Sequence, residues 1–416
     1  MPETVFRVDQ SKSMRDQEVP GHNRWHPDIP AAASVRPGDV FRIECKDWTD
    51  GQVRNDDSAN DIRDMVLDHN HMLSGPIHVE GAEPGDLLVV DYLDLGPARS
   101  GAASVGDEPG EGWGYTGIFD INNGGGFLTD HFPHAGKVIW DFRGMYATSR
   151  HLPGVRVASN VHAGLAGCAP DADLLARWNR REQALIDTDP DRVPPLALPP
   201  LPNHALLGTM GGSDLESAAR EAARTVPPRE HGGNVDIKNL SIGSRVFYPV
   251  YVPGAKFSIG DLHFAQGDGE ISFCGAMEMG GYADVHVDLI KDGVNKYKTD
   301  TPIFQPGRHE PRYTEFVSFI GISVDEAGDQ HYMNATIAYK RACLNAIEYL
   351  KQFGYTGEQA YLILCAAPIE GRISGIVDIP NACCSLYLPT GIFDVDIRPN
   401  GDGPTLVDRG QCATAS

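Results

Sequence analysis

Four side chains able to do acid–base or metal chemistry crowd into Gly260–Glu270, GDLHFAQGDGE: Asp261, His263, Asp268 and Glu270. Strand-like KFSI precedes this stretch and apolar ISFCGAMEM follows it, so two strands joined by a tight turn around Gln266–Gly269 are predicted. Residues two apart on an extended chain share a face, which groups Asp261 with His263 and Asp268 with Glu270. If the two faces match, one imidazole and up to three carboxylates converge. Such a group needs a cation or protons to offset its repulsion. A divalent metal is the economical answer, and imidazole with carboxylates is a ligand set that zinc accepts. The competing account is a plain hairpin turn with exposed acids.

A second polar cluster lies upstream in PPREHGGNVDIKNL, residues 227–240. His231, Asn234 and Asp236 stand beside Gly232–Gly233, where the backbone is free to bend sharply or to approach a ligand closely. The run RVFYPVYVPGAKFSI between the two clusters reads as buried strand.

These stretches, HGGNVDIKNL and FYPVYVPGAKFSIGDLHFAQGDGE, resemble the acetamidase/formamidase family of amide hydrolases. SGPIHVEGAEPGDLLVV (Ser74–Val90) and VHAGLAGCAPD (Val161–Asp171) support the resemblance. GHNRWHPDIP (Gly21–Pro30) and the long C-terminal part point to the formamidase branch. The likeness spans about residues 5–400 and is not to the nitrilase-like formamidases with a Glu-Lys-Cys triad. It implies hydrolysis of formamide, and of other short aliphatic amides, to the carboxylate and ammonia. The expected cofactor is a divalent metal, Zn²⁺, held by Asp236, His263 and Asp261, with Asp268 and Glu270 as alternatives for the third ligand. Glu270 is the preferred proton carrier, Asp268 shares that candidacy, and His231 is the reserve. Gly232, Gly233 and Asn234 are the substrate-binding candidates, and the Ser74-Gly75-Pro76 turn is expected next to the site. The resemblance also implies sandwich-like sheets and a homo-oligomer, a trimer or a multiple of it. The chemistry needs a nucleophilic water, a polarised carbonyl and a proton for the departing nitrogen.

Two readings from other classes compete. One is a covalent amidase using Cys168, or Cys274, as nucleophile; Cys168 follows His162 in the chain, yet both are flanked by small apolar residues that suggest packing, with no cation beside Cys168 to hold a thiolate. The other is a non-enzymatic binding module in which acidic loops hold Ca²⁺, against which His263 argues.

The elements that must position these residues follow from the rest of the chain. With 416 residues, 41% of them apolar, it can bury a large core. Lys and Arg total 35 against 57 acids, a net charge of −22, which speaks against nucleic acid and anionic membrane as partners and suits a small neutral amide. No run approaches the ~20 apolar residues of a membrane helix, MPETVFRVDQ is too polar for a signal peptide, and eight scattered cysteines read as reduced thiols. A cytoplasmic location is expected. The fold class expected is β-rich α+β, with antiparallel sheets and a few peripheral helices. It forms one unit over 1–400: a β-rich part (about 1–165), a helical and Pro-rich connector (about 166–228), a site-bearing part (about 229–400), then a mobile 401–416 tail.

Pro37-Gly38-Asp39 and Pro84-Gly85-Asp86 each precede an alternating strand. Gly101–Gly126 is a glycine-rich loop, and Pro190–Pro202 an extended arm. Helices are expected over 171–187, from a Ser213–Glu216 capping box through Arg224, over 331–353, and from Thr356 through Leu364. In YADVHVDLI, His286 and its flanking aspartates imitate a metal face, but the inward set Ala283, Val285, Val287 and Leu289 explains the alternation without one. His69 and His71 are read as solvent-facing, and Cys383-Cys384 as core.

Overall fold

The computed structural model describes residues 2–98, 111–188 and 202–416. The proline-rich arm up to residue 201, and residues 101–110 of the glycine-rich stretch, lie outside the described residues.

The strands that matter for the site are, in chain order, β1 (Val40–Cys45), β2 (Leu73–Val79), β3 (Leu87–Pro97), β4 (Glu111–Ile118), β5 (Gly136–Arg143), β6 (His162–Cys168), β7 (Gly232–Asn234), β8 (Arg245–Pro249), β9 (Phe257–Gln266), β10 (Phe273–Met279) and β11 (Gly281–Ile290). One sheet carries the order β1-β11-β3-β8, and a larger one carries β5-β4-β10-β9-β6-β7. All of these neighbours are antiparallel. The fold is β-rich α+β, as the turn density and alternating strands predict. All ten residues of β9 are buried, which is why FSIGDLHFAQ is apolar on both faces except at its functional positions.

The two Pro-Gly-Asp units are the same device used twice. Gly38 and Gly85 adopt φ of 93° and 92°. Asp39 Oδ2 accepts from Arg36 N at 2.8 Å, and Asp86 Oδ2 accepts from Glu83 N at 2.9 Å. Each turn releases its chain into a strand, β1 or β3, and the two strands flank β11.

The helices largely follow the apolar spacing. α1 (Ala172–Thr188) buries Leu174, Leu175, Trp178 and Ile186, while Leu185 points outward. α2 (Gly212–Ala219) differs from expectation: Ser213 makes no cap, and Ala223–Arg224 leaves the helix to pair with Arg24–Trp25. α3 (Ala335–Lys351) is capped by Asn334, whose Oδ1 accepts from Ile337 N at 3.1 Å. α4 (Gly357–Ala366) opens with the Thr356–Gln359 capping box. An outlying sheet of β12 (Phe316–Ile322), β13 (Glu370–Gly375) and β14 (Cys383–Pro389) has β14 at its centre and packs on α3.

The last residues are not a loose tail. Ala413–Thr414 pairs with β5, and Arg409, 2% exposed, forms an ion pair with Asp394. Among the described residues, no helix is long and apolar enough to cross a membrane.

Candidate active site

β9 and β10 form the expected hairpin, with Leu262 opposite Met279 and His263 opposite Glu278. On the other side of β9, β6 aligns His162 with His263 and Leu165 with Gly260. β7 pairs with β6 in turn, and beyond its end Val235 N and Asp236 N both donate to Gly164 O at 3.1 Å. That bend carries the Asp236 carboxylate over β6 toward β9. Gly164 leaves the space for it: a Cβ there would lie 2.5 Å from His263 Cε1, 2.6 Å from Asp236 Oδ1 and 3.0 Å from Asp261 Oδ2.

The result is a cluster of one imidazole and four carboxylates, with Asp261, His263 and Glu278 buried and Asp236 and Glu270 half-buried. Single ligand atoms of Asp236, Asp261 and His263 lie within 4.8 Å of one another, and the same holds for His263, Glu270 and Glu278. His263 Nε2 sits 3.2 Å from Asp261 Oδ1 and 3.1 Å from Glu278 Oε2. Three of the acids are held in the left-handed region that L-residues avoid, with φ of 46° at Asp236, 53° at Asp261 and 44° at Glu270. Backbone strain of this kind persists where the surroundings over-determine it, and it gathers at functional sites.

Hydrogen bonds behind the cluster fix the tautomer of His263. Gln266 Nε2 donates to Asp236 O at 2.7 Å, which turns Gln266 Oε1 toward His263 Nδ1 at 2.9 Å. His162 Nδ1 lies 2.8 Å from Asn160 O, and its Nε2 lies 2.9 Å from Gln266 Oε1 and 3.2 Å from His263 Nδ1, so the neutral ring donates to one of the two oxygens. Burial pushes the His162 pKa down to about 3, consistent with that neutral form. Because Gln266 Oε1 can only accept, His263 Nδ1 carries a proton, and Nε2 faces two carboxylates. Such an arrangement asks for a cation or for a second proton. Burial opposes that proton, yet Glu278 and Asp261 raise the His263 pKa well above its ordinary value. Burial and the neighbouring acids likewise raise Glu270 well above the carboxylate range, and burial with Asp261 lifts Asp236 to about 7. Burial also lifts Glu278 to about 7 despite His263, whereas for Asp261 the pull of His263 outweighs burial and lowers the pKa. Asp236 Oδ1, His263 Nε2 and Glu278 Oε2 are buried without hydrogen-bond partners. The donor set fits a divalent ion of borderline hardness, nitrogen with carboxylate oxygens.

Asp236, Asp261, His263 and Glu270 thus come together. Asp268 does not join them: its carboxylate is bound by the Lys238 ammonium and by Gly371 N. The chain between β9 and β10 is a turn rather than a continued strand, so the two-residue parity of Asp268 and Glu270 does not apply there. His231 is also elsewhere, packed between Trp25 and Trp178 with ring centroids at 4.4 and 4.7 Å. Its Nδ1 donates to Cys168 O at 2.7 Å, and burial pushes its pKa down to about 3. Gly232 and Gly233, at φ of 107° and 76°, lie in β7 beside β6, and Asn234 donates to Val226 O. They shape the path to Asp236 and are not part of the cluster. Ser74, in β2, donates to Glu44 O, and β2 flanks β9 with Leu73 opposite Gly260. His71, read as solvent-facing, is buried, with its backbone N–H donating to Thr225 Oγ1 at 2.5 Å. Glu278 escaped the sequence reading; its one signal is an acid inside the apolar run FCGAMEM. His162 and Gln266 escaped it too.

Cys168 and Cys274 are buried, and burial raises both thiols far above their ordinary pKa. His286, the imitation metal face, donates from Nδ1 to Asp91 Oδ2 at 3.0 Å on the other sheet.

A β-rich α+β scaffold with a buried imidazole ringed by carboxylates is the class that fold and site define. Residues 7–395 match the Acetamidase/Formamidase family, and the chain belongs to that family. It is 60% identical over 404 residues to a formamidase of Methylophilus methylotrophus, covering 97% of each chain. It is 67% identical over 373 residues to an acetamidase of Mycolicibacterium smegmatis, covering 89% of this chain and 91% of that one. Among solved structures, the gamma lactamase from Delftia acidovorans superposes with a TM-score of 0.94 at 56% identity, covering 100% of both chains.

Proposed function

We propose that this protein hydrolyses formamide and other short linear amides to the carboxylate and ammonia, with water as nucleophile and the His263 cluster as the catalytic centre. The observation that carries the site is His263 Nε2, buried and facing the Asp261 and Glu278 carboxylates at 3.2 and 3.1 Å, a place that a cation or a proton must fill. Family membership and the formamidase and acetamidase relatives support the reaction class.

Asp236, Asp261 and His263 would hold a divalent ion, Zn²⁺ by preference. When bound, it supplies Lewis acidity, making a water nucleophilic near neutral pH or polarising the amide carbonyl. The protein's own part is orientation and proton movement. Gln266 and His162 hold the His263 ring in place from behind. Glu270 is the proton carrier: burial and the neighbouring acids raise its affinity for a proton, which suits a group that takes one from water once a cation balances the cluster and returns it to the departing nitrogen. Without that proton the leaving group would be an amide anion. Glu278, opposite His263, completes the charge of the site.

The covalent alternative is disfavoured because Cys168 and Cys274 are buried with raised pKa values, and a thiol held that way is a poor nucleophile. The reading also carries a cytoplasmic location, supported by eight free cysteines, and a homo-oligomer, supported by exposed Ile320 and Ile373 on the outlying sheet.

Ammonia release from formamide, acetamide and propionamide, before and after chelation and zinc return, tests the reading. Activity on formamide that falls on chelation and returns with zinc is expected. A methyl group that changes only apolar contact shifts kcat/KM by ~10–200-fold, so a steeper fall along the series means steric exclusion. Activity indifferent to chelation, or no amide turned over, would reject it.

A further inference from the structure

Asp236 and Glu270 reach the cluster from two irregular segments, each in a strained conformation, and neither is fixed by a β-ladder. One ion pair, buried at its lysine and half-buried at its aspartate, joins those segments. Lys238, two residues after Asp236, binds Asp268, two residues before Glu270. The Lys238 side chain is only 8% exposed and also donates to Ile369 O at 3.0 Å. Asp268 Oδ2 accepts from Gly371 N at 2.9 Å, and Tyr339 OH donates to Asp268 O at 2.6 Å. On its far side, Lys238 O accepts from Asn160 Nδ2 at 2.9 Å, and Asn160 O lies 2.8 Å from His162 Nδ1. The pair is therefore joined both to the β9–β10 turn and, through Asn160, to His162 behind His263.

We propose that the Lys238–Asp268 ion pair is a positioning device that sets the separation of Asp236 and Glu270, and with it the opening of the catalytic cluster. Among the described residues, Lys238–Asp268 is the ion pair that joins the two segments, whereas Asp236 and Glu270 meet each other as like charges. The buried ammonium is placed where its loss would free both acids from their strained conformations at once. Neither Lys238 nor Asp268 touches the reacting atoms, so the effect is on geometry. The proposal rests on the cluster being the catalytic centre.

The test compares Lys238→Met, Lys238→Arg and the neutral double variant Lys238→Met/Asp268→Asn in the full-length protein. Readouts are kcat and KM for formamide, Tm, and competition of chelator-treated protein with a chromophoric chelator for Zn²⁺. Lys238→Met is expected to lose kcat by about 10–100-fold, because small misplacements of reacting groups cost that much, with KM unchanged. Its zinc affinity should fall by about 10-fold or more, as for other residues that hold ligands in place. Lys238→Arg should restore most of kcat. The double variant, which leaves no buried charge unpaired, should fold and match the single variant in kcat. Wild-type kcat and zinc affinity in a folded Lys238→Met or double variant would overturn the proposal, and so would an Arg variant as impaired as the Met one. Failure of the double variant to fold would also overturn it, by making the pair a stability element. Wild-type protein that binds no zinc yet hydrolyses formamide would remove the metal reading alone, leaving the kcat comparison to decide.

Discussion

His263 and Glu278 are opposite one another in the β9–β10 ladder, and their side chains meet at 3.1 Å between Nε2 and Oε2. Glu278 is 1% exposed, so this carboxylate is held against the imidazole in a medium where it cannot be screened by water. A buried acid there without a cation or proton to face would cost folding free energy.

Glu278→Gln keeps the shape and removes the charge. If Glu278 balances an ion on the cluster, zinc affinity and kcat/KM should each fall by about 10–100-fold while the protein stays folded. Circular dichroism, zinc titration and ammonia release check the three parts. Unchanged zinc affinity would place Glu278 outside the charge balance.

His263→Ala should abolish zinc binding and amide hydrolysis together, because it removes the one nitrogen ligand and leaves carboxylates facing each other. His286→Ala is the matched comparison. Its imidazole also stands beside aspartates, but it pairs with Asp91 on the other sheet, with a side chain 27% exposed. An ion pair this accessible is worth ~0–1 kcal/mol, so stability, zinc content and turnover should stay near wild type. The reverse pattern would mean that the catalytic face lies on β11.

Gly164→Ala tests the closeness of the cluster. The added methyl would stand 2.5 Å from His263 Cε1 and 2.6 Å from Asp236 Oδ1, both too near for any real contact. Gly164 is not at a positive φ, so the backbone itself tolerates alanine, and the cost is steric. Overpacking of this kind costs ~1–3 kcal/mol in stability, and the displaced carboxylate should lower kcat more than KM. A variant with wild-type kcat would show that Asp236 can move without consequence.

Local spacing made part of this site legible. Asp261 and His263 share a strand face, and the polar cluster after Gly232–Gly233 includes Asp236, so short-range pattern found three of the convergent groups, and Glu270 followed as the acid closing the turn. Glu278 depends on which residue of β10 falls opposite His263, and the turn between the strands sets that register. Glu270 at φ 44° and Phe273 at φ 79° reshape the turn, so counting by twos across it fails. The same failure moved Asp268 out of the expected group and into contact with Lys238. His231 is decided by Trp25 and Trp178, about 200 and 50 residues away in the chain, and no local pattern reports such partners. The twin Pro-Gly-Asp turns were legible because glycine at positive φ and the aspartate bond are local chemistry.

Acid should destabilise the fold through histidines remote from the cluster, above the pH at which ordinary carboxylates are protonated. His22 donates from Nδ1 to Arg24 O at 2.8 Å and accepts at Nε2 from Ser258 Oγ at 2.8 Å, so its surroundings are built for the neutral ring. Burial lowers its pKa from 6.5 to about 4, and burial lowers that of His231 from 6.5 to about 3. With folded values below unfolded ones, the unfolded chain binds more protons wherever pH lies between them. Stability from this source is therefore full above about pH 6.5 and declines as pH falls toward 4 for His22 and toward 3 for His231. Each proton contributes a slope approaching about 1.4 kcal/mol per pH unit in that window. Tm measured from about pH 7 down to about pH 5 should fall steadily, and His22→Gln should make the decline shallower while lowering Tm at neutral pH through its lost hydrogen bonds. An equally steep decline in that variant would mean that His22 is not held neutral by the fold.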